Sequence, residues 1–215
     1  MSGGLAQGEM RMRRKLLVSA FVLLVAGTIR AQRGAKFAVG GGDPPDDRGS
    51  ARLLYWNETA DEAAGQIAVN YGQPIWRKDY EDSANFDAMT KGKIWRMGSN
   101  FWSNLYTDLP ITISGKSVKP GLYFLGLRRS ADGSLWSLAF IDPVKARKAR
   151  LDAFQIQRAT VEFTAPMKTE LAESAPVEKL TIVLARLEND PKNVSLKISW
   201  GHLALSAPVK VTVGE

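Results

Sequence analysis

The residues of this chain whose types and spacing suit chemistry are mostly carboxylates in one short stretch. Asp79, Asp82 and Asp87 lie within a span of nine residues, together with Glu81 and Asn85. Closely spaced carboxylate and amide oxygens in a loop are the ligands that Ca²⁺ prefers. The spacing differs from that of an EF-hand loop, and the glycine of its sharp turn is missing. A solvated acidic loop is the favoured interpretation, and a weak calcium site on the three aspartates is the alternative.

The chain offers few residues for histidine or cysteine chemistry. His202 is the single histidine, and the chain has no cysteine. A catalytic triad or a zinc site built on this histidine would therefore lack partners. The segment Gly115-Lys-Ser117 resembles the end of a phosphate-binding loop, but strand-like sequence flanks it on both sides, which indicates a turn. We predict no catalytic residues, no cofactor and no resident metal, and hence a protein that is not an enzyme.

The aromatic residues form two groups by their position. Among the six tryptophans, Trp136 and Trp200 lie inside alternating strand patterns and are predicted to be core residues. A second group lies in the long irregular stretch 74–104: Trp76, Trp95, Phe101 and Trp102. Loop aromatics stack on sugars, bind partner proteins or lie at membrane interfaces. We predict this second group to contact a partner, with a lid over the core as the alternative.

The N-terminal region predicts where in the cell the rest of the chain is located. A basic cluster at residues 11–15 leads into the 14-residue apolar run Leu16–Ile29, an order typical of export signals. A membrane-spanning helix usually needs about 20 apolar residues. Residues 1–31 are therefore predicted to be a signal peptide, cleaved after Gly27 or Ala31, or a retained signal anchor. The domain would lie on the periplasmic side of the inner membrane, or be periplasmic or secreted after cleavage.

The net charge of +7 does not indicate nucleic-acid binding, because residues 1–31 hold five Lys/Arg against one acidic residue. The next segment, 32–50, is rich in glycine and proline and is predicted to be a flexible linker. The basic cluster of the remaining chain consists of Lys145, Arg147, Lys148 and Arg150, with Arg128 and Arg129 nearby in sequence. Such a run is typical of a solvated helix face, and the alternative is contact with anionic lipid or an acidic partner.

From Arg52 onward, short strand-like runs alternate with turns. This pattern predicts an all-β fold over residues 51–215, an antiparallel β-sandwich preceded by an N-terminal hydrophobic helix. Among the predicted turns is Ser114–Lys116. One short helix is predicted at Pro143–Phe154, with Asp142 as N-cap and with Val144, Leu151 and Phe154 on one apolar face.

Four segments together resemble one known family. They are Tyr71-Gly-Gln-Pro74, Lys93-Ile-Trp-Arg-Met-Gly-Ser-Asn100, Gly115-Lys-Ser-Val-Lys-Pro-Gly-Leu-Tyr123 and Trp136-Ser-Leu-Ala-Phe140. They resemble the domain of unknown function 2911 family of exported bacterial proteins, and the resemblance implies a β-rich fold without an established activity. The family pattern Gly-Ala-Asn-Glu-Ala-Thr reads Gly-Ser-Asn-Phe-Trp-Ser here, so that Phe101 replaces a glutamate and Trp102 an alanine.

These features lead to a functional hypothesis. We expect a non-catalytic, exported and membrane-tethered protein that acts as an accessory subunit of a larger membrane assembly, whether respiratory, photosynthetic or transport. The aromatic substitution at residues 101 and 102 favours this view, since exposed aromatic patches mark contacts more often than chemistry. The alternative is a secreted periplasmic protein that binds a small ligand, either a carbohydrate or a ligand held through calcium.

Overall fold

The computed structural model describes residues 47–171, 175–187 and 189–213. The predicted signal or anchor, residues 1–31, and most of the predicted linker lie outside these residues. Within them the chain forms two α-helices, α1 at Ser83–Thr90 and α2 at Pro143–Lys148, and short 3₁₀ turns at Lys78–Tyr80 and Ala153–Arg158. The strands are β1 Arg48–Asn57, β2 Glu62–Gly72, β3 Ile94–Trp95, β4 Ser103–Thr107, β5 Ile111–Ile113, β6 Lys116–Val118, β7 Gly121–Arg129, β8 Trp136–Ile141, β9 Val161–Thr169, β10 Val177–Leu187, β11 Asp190–Gly201 and β12 Leu203–Val211.

All these strands pair antiparallel, in the order β1-β2-β4-β7-β8-β9-β12-β11-β10. β3 also pairs with β7, and the β5–β6 hairpin pairs with β12 through β5. β9 links the two halves of the sheet, because it pairs with β8 and, at Lys168 and Thr169, with β12. The predicted all-β class is confirmed.

Buried residues from both halves of the sheet form the main core cluster. In β11 the residues Val194, Leu196, Ile198 and Trp200 are buried, whereas the intervening residues are not, as expected for a strand with one buried face. Buried residues of β2, β4, β7 and β8 belong to the same cluster. The predicted core positions of Trp136 and Trp200 are confirmed.

Tyr71 joins β2, in one half of the sheet, to β10 in the other. Its hydroxyl accepts a hydrogen bond from the backbone N–H of Ile182 at 3.0 Å and donates to the carbonyl of the same residue at 3.4 Å. Ile182 lies on β10, at the far end of the strand order from β2. A buried hydroxyl with both its donor and its acceptor satisfied joins two elements without a desolvation penalty.

The turns and helices match the sequence predictions in part. Ser114 and Gly115 have positive φ angles of 47° and 78°, which form the tight β5–β6 turn predicted at Ser114–Lys116. The first strand begins at Arg48, inside the span predicted as linker, so the folded part begins before residue 51. Helix α1 was not predicted, because its eight residues have almost no apolar face.

The predicted helix Pro143–Phe154 is wrong in length and in its buried face. Asp142 caps α2 and Pro143 is its first residue, as expected, but the helix ends at Lys148. Arg150 then has a φ of 54°, and Asp152 begins a separate 3₁₀ turn with its own capping box. Val144 and Phe154 are 70% and 67% exposed. The residues that pack on the sheet are instead Ala146 and Ile156.

Candidate functional site

The stretch 74–104 divides its aromatic side chains between two sides of the sheet. Four of them pack against Trp136 and Trp200 in the main core, and we call these six residues the inner stack: Trp76, Tyr80, Phe86, Trp95, Trp136 and Trp200. The other group lies on the outer face, where Trp102 packs on Phe124 and Phe101 is exposed. The four predicted partner-contact residues are therefore not brought together.

Trp200 is the centre of the inner stack. Its ring stacks on Trp95 at a centroid distance of 4.7 Å and meets the edge of Trp76 at 4.9 Å. Its indole Nε1 donates a hydrogen bond to the carbonyl of Pro74 at 2.8 Å. The residue is only 2% exposed. Trp95 and Trp76 are thus held by a fully buried neighbour.

Trp76 covers one end of the core. Its backbone N–H donates to the carbonyl of Glu178 at 2.6 Å, which ties it to β10. Its ring lies directly against Gly201, where a Cβ atom would be 2.0 Å from the ring. Gly201 also has a φ of 55°, so both the contact and the backbone require glycine. The position of Trp76 matches the lid that we kept as the alternative to partner contact.

The three candidate calcium ligands have separate roles. Asp82 is the N-cap of α1 and accepts hydrogen bonds from the backbone N–H groups of Ala84 and Asn85. Asp87 forms salt bridges with Lys91 and Arg129, both at 2.6 Å. Asp79 is exposed on the preceding 3₁₀ turn. In the described part of the chain, no three His, Cys, Asp or Glu side chains are grouped to hold a metal ion.

The Asp87 ion pair supports the inner stack from α1. Hydrogen bonds from Lys91 and then Arg129 lower the pKa of the Asp87 carboxyl below its ordinary value. The Arg129 guanidinium lies 5.2 Å from the ring centre of Trp136 and 5.6 Å from that of Phe86. Such cation–π contacts attract the guanidinium to the ring faces. One arginine therefore links the helix to two rings of the stack.

The loop 96–102 is anchored at its base. A Cβ atom on Gly72 would lie 2.3 Å from the backbone nitrogen of Ser99, so β2 and the loop are in direct backbone contact. The Asp47 carboxylate accepts hydrogen bonds from the Ser99 hydroxyl at 2.5 Å and the Asn100 amide at 2.9 Å. The Ser103 hydroxyl donates to the carbonyl of Met97. These contacts give the loop a defined conformation.

Phe101 projects from this fixed loop. It is 62% exposed, whereas the next residue, Trp102, stacks on Phe124 with a centroid distance of 4.6 Å and an interplanar angle of 4°. Arg48 donates a hydrogen bond from Nη2 to the carbonyl of Trp102 at 3.3 Å. We call this group the Phe101 surface: Arg48, Asn100, Phe101 and Trp102.

Two arginines near the loop are partly withdrawn from water. Burial lowers the pKa of both Arg48 and Arg96, against the raising effect of Asp47 and Asp152 respectively. Their Nη1 atoms are buried and have no hydrogen-bond partner within the described residues. The Arg96 guanidinium lies 3.8 Å from the ring centre of Phe154. Guanidinium donors of this kind favour carboxylate or phosphate acceptors.

A separate cleft lies between β1 and the β10–β11 hairpin. Its volume is about 720 Å³, and its lining includes Tyr55, Trp56, Arg186 and Pro191. Trp56 is 50% exposed. The Tyr55 hydroxyl donates to the carbonyl of Pro191 at 2.9 Å, and burial raises its pKa. The cleft thus combines an accessible indole ring with hydrogen-bonding groups.

Comparison with known proteins identifies the family of this chain. The family described as "Protein of unknown function (DUF2911)" matches residues 57–209. The chain belongs to the DUF2911 family. No curated protein and no solved structure gives a significant match.

The DUF2911 match gives a structural meaning to the residues that carried the resemblance. Tyr71 and Pro74 hold β10 and Trp200 in place. Trp95 is part of the inner stack, and Gly98 lies so close to Gly72 that a Cβ atom would be 2.9 Å from the Gly72 nitrogen. These DUF2911 residues build the core and the base of the loop. At the two positions where the resemblance implies a glutamate and an alanine, Phe101 is exposed and Trp102 stacks on Phe124, outside the main core.

Several residues of this DUF2911 domain escaped the sequence analysis. Arg48 lay in the predicted linker, and the alternation of exposed and less exposed residues in β1 begins only after it. Arg96 stands within the family segment, but nothing local shows that it meets Phe154. Leu54 and Trp56 share the exposed face of β1, with buried Tyr55 between them, and this alternation was the available signal for an exposed aromatic residue. No helix in the described ranges has both the length and the apolar character needed to cross a membrane. The predicted signal or anchor segment, Leu16–Ile29, lies outside the described ranges.

Proposed function

We propose that this protein is a non-catalytic, exported accessory subunit, tethered on the periplasmic side of the inner membrane. Its domain, a β-sandwich in our interpretation, contacts a larger membrane protein assembly through the Phe101 surface. The observation that carries the proposal is the exposure of Phe101 on a loop that is fixed on both sides. A large apolar side chain held in one place in water is a typical interface anchor.

The rigidity of the loop supports a contact role. Association normally costs free energy because side chains and loops lose freedom at the interface. Here Asp47 already fixes Ser99 and Asn100, and the Trp102–Phe124 stack fixes the following residue. Phe101 can therefore enter a partner's pocket with little further ordering of its own loop.

The positions of the polar residues support the non-catalytic part of the proposal. His202 is exposed in the turn after β11, with its ring edge-on to Trp76 at 6.2 Å. Asp82 and Asp87 serve α1 as a cap and as an ion-pair partner. Both aspartates thus have structural roles, and within the described residues no three His, Cys, Asp or Glu side chains are grouped to hold a metal ion.

The test uses two matched substitutions of exposed apolar residues. Phe101→Ser removes the proposed anchor, and Leu135→Ser, at another strongly exposed residue, is the control. After extraction in mild detergent, we expect the wild type and Leu135→Ser to migrate as part of a large assembly on native gels. Phe101→Ser should migrate as the free subunit.

Mass spectrometry of the mature N-terminus tests the tether. A retained Leu16–Ile29 segment is expected. A mature protein that begins at Thr28 or Gln32 and is a free monomer would contradict the proposal.

The cleft beside Trp56 supports a second candidate, a secreted protein that binds a small carbohydrate. Sugar rings stack on exposed indole rings, and the cleft volume of about 720 Å³ suits a small ligand. Thermal-shift measurements with a glycan panel, with and without calcium, test this candidate. A rise in melting temperature that Trp56→Ala abolishes would favour it. A calcium-dependent rise lost in Asp82→Ala and Asp87→Ala would favour the calcium-dependent form.

A further inference from the structure

The segment 143–158 forms a layer on the outside of the sheet, over β7 and β3. Its inward residues, Ala146 and Ile156, pack with Phe124 and Ile141. The segment carries five cations and one acidic residue, Asp152. The cations, all exposed, are Lys145, Arg147, Lys148, Arg150 and Arg158. We call the exposed side of this segment the basic ledge.

Most of the charge on the basic ledge is not neutralised by the protein. Lys145 forms a salt bridge with Glu162 at 2.8 Å, and no other cation of the ledge has one within the described residues. The Asp152 side chain accepts a hydrogen bond from the backbone N–H of Phe154 at 2.9 Å, as the cap of the 3₁₀ turn. Arg96 adds a further cation above the Phe154 ring.

Two apolar side chains stand among these cations. Val144 is 70% and Phe154 67% exposed, which is unusual for the outward side of a solvated helix. The exposed Phe154 ring carries Arg96 on one face, and the Arg147 guanidinium lies 5.6 Å from the Phe124 ring centre. Exposed apolar residues surrounded by Lys and Arg are typical of surfaces that bind anionic membranes.

We propose that the basic ledge binds the anionic phospholipid surface of the bilayer, with Val144 and Phe154 at the level of the headgroups. The cations then pair with lipid phosphates, and each adds to the attraction of the domain to the charged surface. A fluid layer of headgroups can adapt to long, exposed Arg and Lys side chains, whereas a protein partner would need carboxylates at fixed matching positions.

The position of the chain in the cell supplies the second argument, which rests on the proposed tether. Residues 30–47 separate the apolar run Leu16–Ile29 from β1. These 18 residues can span at most about 60 Å, so a tethered domain stays close to the bilayer. Arg48, the first residue of β1, contacts Trp102 on the same outer face that the ledge covers.

A single label measures the contact directly. The chain has no cysteine, so Val144→Cys can carry one environment-sensitive fluorophore, and Ser117→Cys on exposed β6 is the matched control. The purified full-length protein is reconstituted into vesicles of phosphatidylcholine alone or mixed with phosphatidylglycerol. We expect a blue shift of the label at position 144 in the anionic vesicles only. Raising the salt to about 0.5 M should remove it, because the Debye length then falls well below 10 Å.

Charge variants identify the surface. Arg147→Gln, Lys148→Gln and Arg150→Gln combined should weaken docking on the order of 100-fold, from about 1 kcal/mol per cation. The matched control removes three exposed cations elsewhere, Lys192→Gln, Lys197→Gln and Lys210→Gln, and should leave the blue shift unchanged. Similar effects of the two triple variants would overturn the proposal.

Other results would also overturn it: no shift at position 144, equal shifts at both labelled positions, equal shifts in neutral vesicles, or a shift that appears only with an acidic protein added. The reconstituted protein contains no partner. A failure of the Phe101-dependent assembly would therefore leave this measurement unchanged, and a failure here would leave that assembly intact.

Discussion

Four rings of the inner stack and both aromatic rings of the Phe101 surface come from the same stretch of about 30 residues, 74–104, but the two groups have opposite relations to solvent. In the inner stack Trp200 is buried and contacts Trp76, Tyr80 and Trp95. On the Phe101 surface Phe101 is largely exposed, and Trp102 packs against a second, smaller buried cluster that includes Phe124. The comparison teaches that aromatic content alone does not indicate a binding site.

The two regions also differ in the family resemblance. Pro74 and Trp95, which lie in segments that resemble the DUF2911 family, contribute to the inner stack and its hydrogen bonds. The resemblance implies a glutamate and an alanine at the positions of Phe101 and Trp102, so we expect this chain to differ from its relatives on the Phe101 surface.

The largest expected effect comes from the centre of the inner stack. Trp200→Ala should lower the free energy of unfolding by about 3–5 kcal/mol, because it removes a fully buried ring and leaves a cavity. Urea denaturation measures this change. Trp56→Ala, at an exposed tryptophan, should cost much less. A cost below about 1 kcal/mol for Trp200→Ala would show that the stack is not a rigid part of the core.

The next effect concerns the backbone contact between Gly72 of β2 and Ser99 of the loop that carries Phe101. Gly72→Ala should destabilise the domain by about 1–3 kcal/mol, the usual range for overpacking. The added Cβ would lie 2.3 Å from the Ser99 nitrogen and displace the loop that carries Phe101. Gly115→Ala is the control, since a Cβ there meets no atom within 4 Å and the substitution introduces only backbone strain at a φ of 78°. If the two variants are equally stable, the close contact between Gly72 and Ser99 does not contribute measurably to the stability of the domain.

A smaller, pH-dependent effect should come from two aspartates whose pKa values are lowered by folding. In the ion pair of helix α1, hydrogen bonds from Lys91 and Arg129 lower the pKa of Asp87. In the turn after β7, hydrogen bonds from Ser130 and Ser134 lower the pKa of Asp132 from 3.8 to about 2. Because both pKa values are depressed by folding, these contributions to stability are present above about pH 4 and are lost as the pH falls towards 2.

Denaturation between pH 6 and pH 2 measures this dependence. Asp87→Asn should flatten it, whereas Asp79→Asn should not, because the Asp79 carboxylate accepts no hydrogen bond within the described residues. A curve of unchanged steepness in Asp87→Asn would exclude this ion pair as a source of acid sensitivity.

The sequence predicted the strands well because a half-buried strand shows its buried face locally, as β11 does in Val194, Leu196 and Ile198. It failed for α1, whose clearest signal was the N-cap Asp82. The same carboxylate also fits a calcium ligand, and only the backbone N–H groups of Ala84 and Asn85 decide between the two roles.

The candidate site was harder to predict because its contacts are distant in sequence. Trp95 pairs with Leu127 across β3 and β7, and it stacks on Trp200, more than 100 residues away. No local pattern shows such a pairing. The irregular stretch was correctly recognised as rich in aromatic residues, but the division of these residues between core and surface is set by tertiary structure.

The smallest effect on stability is expected where the effect on contact should be greatest. Phe101→Glu places a carboxylate at an exposed position and should change the free energy of unfolding by less than about 0.5 kcal/mol. Its partner contact should nevertheless be lost, because a charged carboxylate cannot enter an apolar pocket unpaired. Urea denaturation and native-gel migration of the same preparation measure both quantities. A variant that is clearly destabilised would place Phe101 with the inner stack as a structural residue, and the contrast between the two regions would no longer hold.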